Sequence, residues 1–151
     1  MDEVAYRSAY RSANPIACPF EKALVAKRCF CEKAVRHNIA ERDVAGCTSA
    51  AIAADCGTLL DLLRHNAQFA LHLTHIEGGL PHAKEMKVQC GGLLGLQQAL
   101  DPAKAGNETV ENVFGLVGEA VKRFGDLANL PYGEIVKTVS AFEIRRRSGR
   151  R

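Results

Sequence analysis

Five of the six cysteines fall between positions 18 and 56, in the pattern C-x10-C-x-C-x15-C-x8-C formed by Cys18, Cys29, Cys31, Cys47 and Cys56. Core packing gives no reason for thiols to crowd into one quarter of a chain. Thiolates that must reach a common centre do, and that demand limits how the N-terminal third can fold. The spacing differs from the tight C-x2-C-x2-C of bacterial ferredoxins and from the paired C-x2-C knuckles of zinc ribbons. C-x-x-C-H is absent, so covalent haem attachment has no motif.

At 151 residues the chain is long enough for one domain with a stable core, and 47% apolar content is ordinary for a globular protein. Trp is absent and aromatics are few, so Leu, Val and Ala must supply most of the core. The net charge of +3 is a property of one end. Arg145 to Arg151 holds five arginines, and subtracting them leaves −2 for the rest. The expected division is an N-terminal arm (1–17), a helical domain (18–144) with its cysteine cluster in 18–56, and a basic tail (145–151). The body shows neither a basic groove nor an aromatic stacking pattern, so contact with nucleic acid would be confined to the tail. Met1 to Tyr10 is polar, and no run reaches the roughly 18 apolar residues of a membrane span. The expectation is a cytoplasmic protein with no membrane contact, in a compartment where thiols stay reduced.

Helical signals dominate. Tyr6 and Tyr10, four residues apart in a short echo, suit one docked helical turn of the arm. Pro19 suits the first position of a helix capped by Cys18, with a pattern running to about Ile39. Ser49 is a good cap for a second helix reaching about residue 75, after a loop at 43–48. Pro81 opens a third helix to Leu100, a fourth ends at Gly125, and Pro131 begins a fifth. No convincing period-two strand is read. The expected fold is all-α: a compact bundle of about five helices with an N-terminal, cysteine-bearing helical hairpin.

In such a hairpin Cys31 and Cys56 lie level, with Cys47 at the tip. Cys29 and Cys31 are two apart, so on a regular helix they face opposite ways. Either the first helix breaks near Lys27-Arg28, which would also let Cys18 fold back, or one of the two is no ligand. The preferred ligands are Cys29, Cys31, Cys47 and Cys56, with Cys18 as a fifth candidate. Four thiolates suit an iron–sulfur cluster, [4Fe–4S] foremost, or a zinc site. Cys56 and Cys90 also fit a buried helix stripe.

Other features are weaker. His72 and His75 share a helix face but belong to an ordinary polar stripe. Gly91, Gly92 and Gly95 inside a helical pattern point to close helix packing. No hydrolytic elbow, phosphate loop or dinucleotide fingerprint is present, which argues against an enzyme. The reading is a small iron–sulfur or other metal-binding protein in electron transfer, cluster handling or redox sensing, with a protein partner. The rivals are a zinc-stabilised interaction module and a metal-free helical adaptor with structural cysteines.

Overall fold

The computed structural model describes residues 2–72 and 80–144. It corrects the all-α expectation: the chain is mostly helical, but residues 34–47 form a β-hairpin where a helical hairpin was expected. After α1 (Glu3–Ala13), the helix opened by Pro19 is short, α2 (Glu21–Val25). Lys27 adopts a left-handed backbone (φ 63°), while Arg28 N–H donates to Ala23 C=O at 2.9 Å and Lys27 N–H to Leu24 C=O at 3.0 Å. This is the usual helix stop, with lysine in the position glycine normally takes.

Strands β1 (Ala34–Ile39) and β2 (Arg42–Cys47) pair antiparallel from Ala34↔Cys47 to Ile39↔Arg42. The connecting Ala40 and Glu41 both have positive φ, as a tight two-residue hairpin turn requires. A third extended piece joins the far edge of β2. Cys47 N–H donates to Ile16 C=O at 2.8 Å and Cys18 N–H to Ala45 C=O at 3.1 Å. A Cβ on Gly46 would overlap the Asn14 side chain, so only glycine lets the chains come this close.

Ser49 caps α3 (Ala50–Asn66), accepting from Ile52 N–H. The helix ends nine residues before the expected residue 75, and His72 already has φ 57°. His75 and the tail 145–151 lie outside the described residues. A second long helical stretch runs through α4 (His82–Met86), a π turn (Lys87–Gly91) and α5 (Gly92–Leu100). Then come α6 (Val113–Phe124), stopped by Gly125, and α7 (Tyr132–Ala141). The core lies where α3, α5 and α7 meet, around Leu59, Leu63, Leu93, Leu96, Ile135 and Val139.

Close helix packing accounts for the three glycines. A Cβ at Gly91 would come within 2.7 Å of Val139 Cα, one at Gly92 within 2.7 Å of the Leu63 side chain, and one at Gly95 within 2.9 Å of Ile135 C=O. The neighbour at Gly95 is backbone and cannot turn aside. Gly95→Ala should therefore lower stability by about 1–3 kcal/mol, the usual cost of overpacking. Urea denaturation followed by circular dichroism checks this, and an unchanged midpoint would contradict the packing account.

A candidate four-thiol site

Cys18, Cys31, Cys47 and Cys56 line one cavity. Each arrives from a different piece of chain. Cys18 is on the strand added to β2, Cys31 on the segment after α2, Cys47 at the end of β2 and Cys56 in the second turn of α3. Cys29 does not line this cavity. It is buried at 1% exposure, and Cys90 is buried in the π turn. Of the sequence-level candidates the structure thus brings together Cys31, Cys47, Cys56 and the fifth choice, Cys18, and leaves Cys29 aside. The helix break that the geometry demanded is present, at Lys27.

Backbone pairing sets these positions. The segment carrying Cys29 and Cys31 runs beside residues 110–113: Val110 N–H donates to Arg28 C=O at 3.1 Å, Phe30 N–H to Val110 C=O at 2.9 Å and Val113 N–H to Phe30 C=O at 2.8 Å. Asn112 adds a reciprocal pair, accepting from Glu32 N–H at 3.0 Å and donating to the Glu32 carboxylate at 2.7 Å. Sequence reading missed this partnership, because nothing local links positions 28–32 with 110–113.

The rest of the lining is apolar: Pro19, Phe20, Leu24, Ala34, Ile52, Ala53 and Val113, with Gly46. No charged side chain lines the cavity. Three of the basic residues near the cysteines in sequence are engaged elsewhere. Arg28 stacks on Phe142, Lys33 on Phe114 and Arg42 on Tyr6. The space is small, about 20 Å³ for the centres of water-sized spheres, room for about one water. Holding anything larger than a water there would require the thiols and the apolar walls to move apart.

Two sulfurs receive backbone donors. Ser49 N–H points at Cys47 Sγ at 3.5 Å, at the N-terminus of α3, whose dipole favours negative charge there. Phe20 N–H is directed at Cys18 Sγ. Among the described residues, no three Cys, His, Asp or Glu side chains converge closely enough to hold a single metal ion.

Burial pushes the Cys18 thiol up to about 11 and Cys56 up to about 12, and the neighbouring cysteines add to both shifts. Cys29 is raised further by the same burial. Burial also raises Cys90, to about 11, partly offset by Arg28. No family model matches the chain, and neither a curated protein nor a solved structure is significantly similar to it.

The raised values predict a pH dependence. The folded thiols hold their protons more tightly than the unfolded ones, whose ordinary value is 9.0. This contribution to stability is complete below about pH 9 and is lost as pH rises through the folded values. The urea midpoint of the reduced, metal-free protein should fall from pH 9 to 11, and Cys56→Ala should flatten that fall. A midpoint constant or rising across this window would contradict the burial account.

Proposed function

We propose that Cys18, Cys31, Cys47 and Cys56 hold an iron–sulfur cluster, [4Fe–4S] foremost, and that the protein works in electron transfer, cluster handling or redox sensing in the cytoplasm with a protein partner. The observation that carries this reading is the shared cavity: four thiols from four separate segments, facing one small, apolar-walled space with no other titratable group in its lining.

Three features support a cluster over the alternatives. Apolar walls and backbone N–H groups aimed at sulfur are the means by which proteins stabilise a thiolate-bound cluster and set its potential. A single zinc ion, with bonds of about 2.3 Å, needs its sulfurs within about 3.8 Å of one another. In a polynuclear cluster each thiolate can bind a different iron, which suits thiols that ring a cavity without meeting at one point. The metal-free adaptor reading leaves unexplained why four cysteines should come together from so far apart in the chain. Coordination must displace protons from the raised thiols, so loading is favoured by higher pH.

Anaerobic purification or reconstitution, followed by visible absorption and iron and sulfide analysis, tests the proposal. A brown protein containing iron and acid-labile sulfide is expected. Cys56→Ser and Cys18→Ser should each lose most of the colour, while Cys29→Ala should keep it. A colourless protein with one zinc would replace this reading with an interaction module. A colourless, metal-free protein after reconstitution would leave an adaptor with packed thiols.

A further inference from the structure

One ligand of the four-thiol site is held differently from the other three. Cys31, Cys47 and Cys56 sit in segments bound into the body. Cys18 follows a segment, residues 2–17, in which Asn14 is the one buried residue. No apolar side chain of that segment is fully buried: Tyr6, Ala9, Tyr10 and Ile16 are half-buried, and Arg42 lies over the Tyr6 ring at 4.0 Å. Tyr6 and Tyr10 pack on each other at 6.2 Å, and the Glu3 ion pairs with Arg7 and Arg42 are exposed, at 3.8 Å each. Exposed pairs of this kind contribute little.

The segment is also fastened through polar groups, and these converge on one residue, Ala45. Ala45 C=O accepts from Cys18 N–H and from Asn14 Nδ2, both at 3.1 Å. Ala45 N–H donates to Glu21 Oε2 at 2.7 Å, and Glu21 Oε1 accepts from the Tyr10 hydroxyl at 3.0 Å. The Glu21 carboxylate thus bridges the middle strand and the N-terminal helix, and Cys18 lies between the two attachments.

We propose that residues 2–18 form a releasable strap, that Cys18 is the labile ligand of the site, and that Glu21 is the positioning residue that keeps the strap closed. Release leaves Cys31, Cys47 and Cys56 in place and opens the fourth coordination position, which exposes the centre to a chelator, a small-molecule ligand or an acceptor protein. The assignment of a metal centre rests on the reading given under Proposed function. The strap itself does not, because Cys18 is sheltered in the metal-free protein as well.

Native-state alkylation of the reduced, metal-free protein, read by mass spectrometry for each cysteine, tests the strap. Glu21→Ala should speed labelling of Cys18 by about tenfold, the order expected on losing a half-buried charge-assisted hydrogen bond, and leave Cys56 unchanged. Glu21→Gln, which can still accept from Ala45 N–H and donate to the Tyr10 oxygen, should restore protection. Tyr10→Phe, a milder loosening, gives the same comparison if Glu21→Ala fails to fold. Equal labelling of Cys18 in variant and wild type, or a parallel rise at Cys56, would overturn the strap. In reconstituted protein Glu21→Ala should surrender iron to a chelator several-fold faster than wild type, and equal rates would overturn the labile-ligand assignment. Wild-type protein that takes up no iron defeats the cluster reading, and the labelling ratio then still decides the strap.

Discussion

The pairing of β2 along both of its edges is the constraint that brings the N-terminal segment, and Cys18 with it, to the other three cysteines. On one edge β1 fixes the register from Ala34↔Cys47 to Ile39↔Arg42. On the other, Ile16 and Cys18 take up the free backbone groups of Ala45 and Cys47. A lone two-stranded hairpin is marginal in water. Here α2 and α3, packed against β2, supply what the hairpin lacks, and the third extended piece adds to them. The same backbone bonds that satisfy β2 put Cys18 and Cys47 on adjacent chains, so the site and the sheet are one construction. Gly46 is where this shows most directly, since any side chain there would push Asn14 and the residues after it away from the strand.

The helical body supports the wall of the cavity through a buried polar chain. Arg64 on α3 grips Glu85 through two bonds, at 3.2 and 2.8 Å, and Glu85 accepts from Gln89 at 2.7 Å. Gln89 in turn accepts from Ala23 N–H at 3.1 Å. The π turn at Lys87–Gly91 places Gln89 against α2, a common use of such a bulge in an otherwise regular helix. A carboxylate this deeply buried is tolerable only because its arginine and amide partners satisfy it. The chain ends on the backbone of α2, whose neighbours Phe20 and Leu24 form part of the cavity lining.

The sequence revealed the helical half well and the hairpin poorly, and the reasons are local. Ser49, Pro81, Pro131 and Gly125 mark helix ends where the structure has them, because caps and breakers act through the nearest backbone groups. The hairpin lacks the usual turn residues. Ala40-Glu41 makes a turn that normally calls for Asn-Gly, and Lys27 takes a left-handed position that normally calls for glycine. The alternation in β1 is real but brief: Val35, His37 and Ile39 are more sheltered than Arg36 and Asn38. It was overridden by a helical pattern continued past its true end. Gly46 read as a loop residue because its function, a close approach by another chain, leaves no local trace. Of the five cysteines the sequence offers as ligands, Cys18, Cys31, Cys47 and Cys56 share one cavity and Cys29 does not. The geometric conflict between Cys29 and Cys31 on one helix correctly signalled a break; what lay out of reach was the strand pairing that returns Cys18.

The contrast between Cys18 and Cys29 shows why thiol count alone cannot define such a site. Cys29 is the more buried of the two, beside Val110 in backbone pairing, and its thiol is as sheltered as any core methyl group. Burial holds a proton on its sulfur as it does on Cys56; what sets Cys29 aside is that it does not line the cavity the other four share. Cys18 keeps partial exposure, a backbone donor on its sulfur and three thiol neighbours across a small apolar-walled cavity. Coordination would displace the protons of these raised thiols and put bonds to a cation in their place. The energy so gained would draw the N-terminal segment onto β2, so binding at the site and closure of the sheet edge would stabilise each other.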